Sequence, residues 1–537
     1  MFEAAVGEAL GWSPDVINVL HRTVGPPLLA SLAKTEAWYA ARRMRKPALP
    51  YTCSMFWLLL SLAPPLQALA QREATALRRP TAANYRQLAD AYLQAERYQQ
   101  ASAAFAKASA LYGKLGDPHA AKVLRSLSKR YLTTIQVFVD QPLDPAAARR
   151  NYTGARFEPL YGCYVGVNIE RENATRDPQA FNNLIGKRHA SFFMYRAFGA
   201  AFPAPLARNL KNAQAGLHIA WEPRSLGEVR DSPELRRFAA QLAQSGVPVF
   251  LRFASEMNGS WTRYGGNPEE YKRTFRFISD FMRSNAPNVA LVWCPNETPE
   301  DKIEAYYPGS SYVDWVGVNF YSVLYNDGDR ARDARWRHPA DSLDYVYKKY
   351  SAIHPIMVGE WAATHHSVLD QGPNPQFAID KIGQFYNALP RLYPRVKAVH
   401  WLSMNTMQYA SGPRKLNNFS LLDQALVARK YRDTLSHPYF LERLKFGYYP
   451  SSPVQIVPLK PGASVPAGSR LSLIVRSYEN RPDVVVTVNG KQVLSQTDVT
   501  DYGFTLPKGK TRIEVRVRDS LGREAGRTAL NAVGTEQ

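Results

Sequence analysis

The stretch VFLRFASEMNGSWTRYGG, residues 249–266, places a carboxylic acid, an amide and two large aromatic side chains after an apolar run. Glu256, Asn258, Trp261 and Tyr264 lie within nine positions of one another. A glutamate is most often a solvated surface residue, so an ordinary strand end would explain this group. The other explanation is a carbohydrate site, in which a carboxylic acid donates a proton and aromatic rings stack on sugar faces.

A second glutamate, Glu360, ends another apolar run in the segment HPIMVGEWAATHH. If the two glutamates converge, one protonated and one ionised carboxyl group together supply what glycoside hydrolysis needs. The protonated group donates to the leaving oxygen, and the ionised group attacks the anomeric carbon. Two unrelated surface glutamates are the alternative interpretation of the same residues.

Eight short apolar segments alternate with amphipathic helices through the middle of the chain. The predicted strands cover 161–169, 190–198, 216–221, 247–254, 289–294, 313–320, 355–360 and 396–402. Near-continuous apolar strands that alternate with helices indicate a buried parallel sheet. Eight such units in about 250 residues predict a (β/α)8 TIM barrel, whose functional groups gather at the carboxyl ends of the strands. An open doubly wound sheet is the structural alternative, but no glycine-rich phosphate loop follows the first strand.

Two segments of different character flank the barrel, which we place at residues 155–445, so we expect a multidomain α/β chain. Residues 71–150 form a predicted α-helical segment that resembles a tetratricopeptide (TPR) unit over 82–115, with a further helix over 119–139. One such unit cannot bury its own apolar face, so it must pack elsewhere in the chain or on a partner protein. Residues 452–537 alternate apolar and polar side chains, which predicts an antiparallel, immunoglobulin-like β-sandwich.

Residues 1–70 have the three-part composition of a secretory signal. A basic stretch from Arg42 to Lys46 precedes an apolar core from Met55 to Ala63 and an Ala-Leu-Ala triplet that ends at Ala70. Cleavage is expected after that triplet, although Met44 stands where a signal would normally start. The apolar core is short and is followed by two prolines, which argues against a permanent membrane helix. We therefore expect an exported protein in the periplasm or outside the cell.

Composition and charge restrict the classes of function. A hydrophobic content of 45% and a charged content of 21% describe a globular protein. The formal net charge of +21 favours contact with anionic surfaces or polymers. The basic residues are scattered and no nucleic-acid recognition motif accompanies them, so an acidic polysaccharide or the cell envelope fits better than nucleic acid. Cys163 and Cys294 fall in predicted strands, which indicates buried thiols and no disulfide framework.

The segments LRFASEMNGSWTRYG, VWCPN, YYPGSSYVDWVGVNFYS and VGEW, with the strand that carries Trp401, together resemble glycoside hydrolase family 26. The resemblance extends over roughly residues 160–440 and leaves both flanking segments outside. This family belongs to a clan of barrel enzymes with catalytic glutamates on strands four and seven. The resemblance implies Glu256 as the acid/base and Glu360 as the nucleophile, with retention of the anomeric configuration.

Aromatic side chains near the two glutamates are predicted to contact the sugar. The resemblance implies Trp261 as an aromatic subsite wall, Tyr321 beside the nucleophile and Trp401 as the floor under the cleaved sugar. Tyr321 also ends the sixth predicted strand, where its hydroxyl could orient the nucleophile. Trp221 and Trp361 are further candidates for stacking, because tryptophan faces match the apolar faces of pyranose rings.

Several polar residues are also candidates for substrate binding. Arg252 and Asn258 flank the proposed acid, where they can hold a carboxylate or a sugar hydroxyl. Asn296 at the end of the fifth strand could contact substrate or stabilise a turn. His365 and His366 follow the nucleophile strand, but no third ligand lies at a useful spacing, so we expect no metal site. The proposed chemistry needs no cofactor.

One residue, Ser255, departs from the family pattern, because family members commonly carry histidine immediately before the acid/base. A small hydroxyl cannot supply the same hydrogen bond or shape as histidine. The sequence therefore leaves three candidate substrates, which are mannan, glucan and an acidic exopolysaccharide. The predicted function is an exported endo-acting hydrolase of β-linked polysaccharide, with the helical segment as a contact to an envelope or secretion protein. Two alternatives stay open: a catalytically weak glycan-binding or assembly protein, and a transglycosylase.

Overall fold

In a computed structural model of the chain, the described residues are 63–150, 152–479, 481–497 and 502–536. They fall into two units, of which the first holds the chain up to Thr134 together with residues 476–478 and 523–526. The predicted signal lies outside the described residues up to position 62, and its cleavage point falls within the helix Ala63–Arg78. No helix in the described part of the chain combines the length and the apolar character needed to cross a bilayer.

Four consecutive helices form most of the first unit, and they span Ala63–Arg78, Ala82–Gln94, Tyr98–Lys114 and Pro118–Tyr131. Small side chains let the helices approach closely, since Ala89, Ala101 and Ala108 are fully buried beside Phe105. Thr81 and Asp117 begin two of the helices, and each side chain accepts a hydrogen bond from a backbone amide three residues later. The expected amino-terminal helical region is confirmed.

The prediction of a helix over 119–139 is wrong beyond Tyr131, where the helix ends. Residues Thr134–Pro142 instead form strand β1, which pairs antiparallel with strand β13 (Val454–Pro458). The segment TIQVFVDQP is rich in β-branched and aromatic residues, which favour a pleated strand over a helix. Residues ahead of the barrel therefore complete a sheet formed by residues that follow it.

The eight predicted strands of the barrel are confirmed. They are β2 (Cys163–Asn168), β3 (Ser191–Ala197), β4 (Gly216–Glu222), β5 (Val249–Phe253), β6 (Val289–Trp293), β7 (Trp315–Asn319), β8 (Ile356–Trp361) and β10 (Val396–Leu402). Neighbouring strands run parallel, and β10 pairs with β2, which closes the sheet into a cylinder. The chain is thus a multidomain α/β protein built on a TIM barrel.

Helices follow the barrel strands, and they span Pro178–Ile185, Ala204–Ala213, Pro233–Ser245, Pro268–Asn285, Asp344–Tyr350, Pro375–Leu392 and Ala425–Thr434. Four of them begin with the same signal, an Asx or serine cap followed directly by proline. The cap side chain accepts from an otherwise unbonded backbone amide, and proline suits the first helical position because its missing N–H costs no hydrogen bond. The caps are Asp177, Ser232, Asn267 and Asn374.

Shorter elements complete this region of the chain. Two short helices span Pro145–Arg150 and Thr406–Tyr409, and the short strands are β9 (His366–Ser367), β11 (Asn417–Asn418) and β12 (Phe440–Leu441). Strands β9 and β11 pair with each other, so the loops after β8 and β10 are joined at the mouth of the barrel.

Side chains alternate along the barrel strands between the interior and the helix layer. Phe250, Cys294 and Trp315 belong to a cluster inside the cylinder. Side chains one position away, such as Leu251 and Trp293, pack with residues of the surrounding helices. Both faces of each strand are therefore buried, as expected for a parallel sheet.

Two further sheets follow the barrel. The first contains β13, β1, β15 (Arg470–Arg476) and β18 (Phe504–Thr505), in that order. The second contains β14 (Ala463–Pro466), β20 (Glu524–Thr535), β19 (Gly509–Arg518), β16 (Asp483–Val488) and β17 (Lys491–Gln496). The pairs β1–β13, β15–β18, β16–β17 and β16–β19 are antiparallel, whereas β14 and β20 run parallel. Asn489 and Gly490, both with positive φ, form the turn between β16 and β17. The expected antiparallel sheets after the barrel are confirmed.

Candidate active site

Glu256 lies in a tight turn just after β5. The backbone of Ala254 and of Glu256 is left-handed, with φ of +46° and +59°. Such angles are uncommon for residues other than glycine and occur often at functional sites. The backbone N–H of Glu256 donates to the carbonyl of Cys294 across 2.8 Å, which ties the turn to the end of β6. The carboxylate is therefore held at the carboxyl end of the barrel.

Glu360 is the penultimate residue of β8 and only 5% of its surface is exposed. The guanidinium of Arg252 donates to Oε1 and the hydroxyl of Tyr321 donates to Oε2. Arg252 is fully buried, so this is an ion pair inside the barrel. Burial and the charge of Glu360 raise the pKa of Tyr321 well above its usual value, so the hydroxyl keeps its proton.

Asn319, the last residue of β7, connects the two glutamates. Its Nδ2 donates to Oε1 of Glu256 across 2.9 Å, and its Oδ1 accepts from Arg252 across 2.9 Å. The thiol of Cys294 also donates to Oδ1, with Sγ at 3.1 Å. Because Arg252 binds Glu360 as well, Glu256, Asn319, Arg252 and Glu360 form one hydrogen-bonded chain across the mouth of the barrel.

Two aromatic rings beside the glutamates are open to solvent. Trp261 is 46% exposed, and its indole N–H donates to Oε2 of Glu256 across 2.7 Å. Tyr195, near the end of β3, is 40% exposed. Burial of its hydroxyl and the charge of Glu360 raise the pKa of Tyr195 well above its usual value. One exposed aromatic ring therefore lies near each carboxylate, in a position to contact a sugar.

The predicted stacking roles of Trp221, Trp361 and Trp401 are wrong, because all three are fully buried. Trp221 stacks on Phe238 with ring centroids 4.7 Å apart. Trp361 and Trp401 pack edge to face at 5.1 Å, and the Trp401 indole donates to a backbone carbonyl. These side chains occupy the outward positions of their strands, where they fill the space between the barrel and its helices.

Neither Arg252 nor Asn258 is placed to contact a sugar hydroxyl, and the alternative prediction for Arg252, that it holds a carboxylate, is confirmed. Arg252 is buried and binds Glu360 and Asn319 directly. Asn258 is 2% exposed, and its amide donates to the carbonyls of Asn296 and Pro299 at 2.9 and 3.1 Å. Arg252 and Asn258 therefore position other residues of the site through buried hydrogen bonds.

The remaining sequence candidates have structural partners. The side chain of Asn296 accepts from the backbone N–H of Thr298 across 3.1 Å, which favours its turn-stabilising interpretation. His365 is buried, its Nε2 faces the carbonyl of Ser420 at 3.0 Å, and burial lowers the pKa of the ring. Within the described residues, no group of three or more metal-ligating side chains comes together.

Sequence reasoning missed Asn319, Tyr195 and Glu222, although one pattern could have found them. Each is the last or third-last residue of its strand and lies on the inward phase of the alternation. Glu222 ends β4 and is bonded to Ser255 and Tyr264. Side chains along a barrel strand point alternately inward and outward, and inward polar residues at its carboxyl end face the mouth of the barrel. This alternation was therefore a better guide to site residues than closeness to Glu256 in the sequence.

Comparison with known proteins relates part of the chain to glycoside hydrolases. Residues 231–333 match the family model for glycosyl hydrolase family 26, a segment that contains Glu256 and ends before Glu360. A β-1,3-xylanase, TXYA, of a Vibrio species is 34% identical over 100 residues, which is 17% of this chain and 21% of that protein. A mannan endo-1,4-β-mannosidase of Bacillus subtilis strain 168 is 35% identical over 176 residues, 31% of this chain and 41% of that protein.

These matches span less than half the length of the curated relatives. Among solved structures, the GH26 β-mannanase BoMan26A from Bacteroides ovatus is 14% identical, with a TM-score of 0.37, over 56% of this chain and 96% of that chain. The segment around Glu256, residues 231–333, is therefore similar to glycosyl hydrolase family 26.

Proposed function

We propose that this chain is a glycoside hydrolase that cleaves a β-linked polysaccharide internally. The observation that carries the proposal is the hydrogen-bonded chain from Glu256 through Asn319 and Arg252 to Glu360. It brings two carboxyl groups to one end of a closed barrel, which is the arrangement that glycosidic cleavage requires. Relatives named as a xylanase and as mannosidases support the substrate class.

Glu360 is the proposed nucleophile. Arg252 and Tyr321 each donate to one of its oxygens, which orients the carboxylate and balances its charge. Attack on the anomeric carbon forms a bond from the carboxylate to the sugar as the glycosidic bond breaks. The electron pair of the broken bond stays on the leaving oxygen, which therefore needs a proton.

Glu256 is the proposed acid/base. Trp261 and Asn319 each donate one N–H to its carboxyl group, and the remaining lone pairs stay open for the transferred proton. Glu256 protonates the leaving oxygen in the first step. In the second step it removes a proton from the water that attacks the sugar on Glu360, so configuration is retained.

A neutral sugar suits the site better than an acidic one. The cation that binds Glu360, Arg252, is fully buried and also binds Asn319. A substrate carboxylate would thus meet the Glu360 carboxylate with Arg252 already engaged, and like charges at close range repel. We therefore propose mannan or another neutral β-glycan as the substrate.

Export and docking are also part of the proposal. The signal-like composition of residues 1–70 supports a periplasmic or extracellular location. In the helical segment from 71 to 134, basic residues outnumber acidic residues, which supports contact with an anionic envelope surface or secretion protein.

The test compares the wild type with Glu256→Gln and Glu360→Gln on mannan, mixed-linkage glucan, β-1,3-xylan and an acidic β-glycan. Each variant should lose about a thousandfold or more of the activity on the preferred substrate. Glu269→Gln is the matched control, because Glu269 is an exposed glutamate on the helix Pro268–Asn285.

Equal behaviour of all four proteins would identify a glycan-binding protein and reject the hydrolase proposal. Products longer than the substrate, detected by mass, would identify a transglycosylase. The anomeric configuration of the first product, followed by NMR, tests retention independently of rate.

A further inference from the structure

Three side chains beside the proposed acid/base form a closed hydrogen-bonded ring. The hydroxyl of Ser255 donates to Oε1 of Glu222 across 2.6 Å. The hydroxyl of Tyr264 contacts Oε2 of Glu222, and it also lies 2.6 Å from the backbone carbonyl oxygen of Ser255. The ring thus links the end of β4 to the turn that carries Glu256.

The number of protons in this ring depends on Glu222. The Tyr264 hydroxyl has one hydrogen but contacts two oxygens, and the Ser255 carbonyl can only accept. If Glu222 is ionised, one of these two contacts is a close approach of two oxygens with no hydrogen between them. If Glu222 is protonated, it donates to Tyr264, Tyr264 donates to the Ser255 carbonyl, and every contact is a hydrogen bond.

We infer that Glu222 is a neutral carboxylic acid and a positioning residue for Glu256, an inference that rests on the proposed function. The ring holds Ser255 by both its side chain and its carbonyl. Ser255 lies between Ala254 and Glu256, whose left-handed backbone is costly. The ring therefore stabilises the conformation that directs Glu256 into the mouth of the barrel.

The surroundings of Glu222 are consistent with a neutral group. Burial raises the pKa of Glu222 above its usual range and the charge of Glu360 adds to this, while Ser255, Tyr264 and Arg252 act in the opposite direction. Titratable or charged groups face it from β5, β8, the turn after β5 and the helix Pro268–Asn285, namely Arg252, Glu360, Tyr264 and Tyr271. On β3 the residue paired with Glu222 is Ala197, and the neighbouring Arg196 lies on the other face of the strand.

The ring also explains why serine suits position 255. A hydroxyl supplies the hydrogen that Oε1 of Glu222 accepts, and its short side chain leaves room for a carboxyl group at the end of β4. The proton on Glu222 has a consequence for pH dependence. As the pH rises through the pKa of Glu222, the ring loses one hydrogen and the negative charge near Glu256 and Glu360 increases, so turnover should fall.

Two variants test this inference through activity. Glu222→Gln keeps one acceptor and one donor but cannot ionise, so kcat at neutral pH should stay close to that of the wild type. The decline of kcat on the alkaline side should move to higher pH. Glu222→Ala opens the ring and should lower kcat about a hundredfold with a smaller change in KM, because a misplaced catalytic group costs about that much. An unshifted alkaline decline in Glu222→Gln would overturn the inference.

A spectroscopic measurement tests the proton without activity. Carboxyl ¹³C NMR of glutamate-labelled protein at neutral pH should show a protonated side chain that is absent in Glu222→Gln. Circular dichroism of each variant establishes that it is folded. If no protonated carboxyl signal disappears in Glu222→Gln, the inference is wrong. If the signal disappears but Glu256→Gln keeps full activity, the proposed function fails while the protonation of Glu222 stands.

Discussion

The side-chain amide of Asn319 donates to Oε1 of Glu256 across 2.9 Å, although Asn319 ends β7, Glu256 follows β5 and β6 lies between these strands. The oxygen of the same amide accepts from Arg252, which in turn binds Glu360. A single amide therefore fixes the distance between a carboxylate in a loop and a carboxylate in a strand. The nitrogen and the oxygen of this amide cannot exchange positions, since Glu256 needs a donor and Arg252 needs an acceptor.

Replacing Asn319 with alanine removes the donor to Glu256 and the acceptor for Arg252. We expect kcat/KM to fall about a hundredfold, because Glu256 loses its alignment. The free energy of unfolding should also fall by about 1.5–3 kcal/mol for each lost bond to a charged group. Steady-state kinetics and urea unfolding measure the two effects. Asn183→Ala, at an exposed position, is the control; wild-type kinetics in a folded Asn319→Ala protein would contradict the prediction.

Trp261 combines an exposed ring with an N–H bond to Glu256, and two substitutions separate these contributions. Trp261→Phe keeps an aromatic face but removes the donor, so kcat should fall about tenfold to a hundredfold. Trp261→Ala removes the face as well and should also raise KM. Kinetics of both variants on one oligosaccharide separate the effect of the N–H donor on kcat from the effect of the aromatic face on KM. An identical change in KM for both variants would argue against stacking.

Trp401 should behave in the opposite way, since it is buried against Trp361 and Tyr431. Trp401→Ala should lower the free energy of unfolding by about 3–5 kcal/mol through the cavity it leaves. The KM of the protein that remains folded should not change. Urea unfolding with kinetics at low temperature tests this, and Trp261→Ala, at an exposed site, should lose less stability than Trp401→Ala. A stable Trp401→Ala protein with weakened substrate binding would restore the interpretation of Trp401 as a sugar platform.

Acid should destabilise the barrel through a buried neutral histidine. His189 lies 2.7 Å from Asn182 through Nδ1 and 3.1 Å from the Tyr431 hydroxyl through Nε2. The neutral ring satisfies both partners by donating to the first and accepting from the second. Burial lowers the pKa of His189 from 6.5 to about 3.

As the pH falls from about 6.5 towards 3, the unfolded chain takes up a proton at His189 that the folded chain does not bind, so stability should decrease. Urea midpoints at pH 7, 6, 5 and 4 measure the trend. His189→Gln should be less stable at pH 7 and should lose less stability on acidification. His119→Gln, at an exposed position, should follow the wild type. If the urea midpoint changes with pH equally in the wild type and in His189→Gln, His189 does not cause the loss of stability in acid.

Strand β1 makes the barrel dependent on residues after it. Removal of residues 452–537 deletes β13, the antiparallel partner of β1, and exposes the buried side chains of Val137, Phe138 and Val139. We expect the truncated chain to have a low soluble yield, because an apolar strand with an open edge promotes aggregation. Soluble yield and light scattering test this, and co-expression of 452–537 as a separate chain should restore solubility. A monomeric truncated protein with full activity would contradict the prediction.

The amino-acid sequence by itself determined the barrel and the two carboxylates at its mouth. Apolar runs marked the strands, and amphipathic segments between them marked the helices; both are local signals. Glu256 and Glu360 could be found because each follows or ends an apolar run, and parallel strands bring such ends together.

Only the tertiary structure decided which side chains line the site. In a parallel strand both faces are buried, so an apolar run does not show whether Trp401 points to the interior or to the helices. The pairing of β1 with β13 and the contact of Glu222 with Tyr264 join residues far apart along the chain. Local propensity carries no information about such partners, because the free energy that selects them comes from packing in the closed barrel and in the sheets after it.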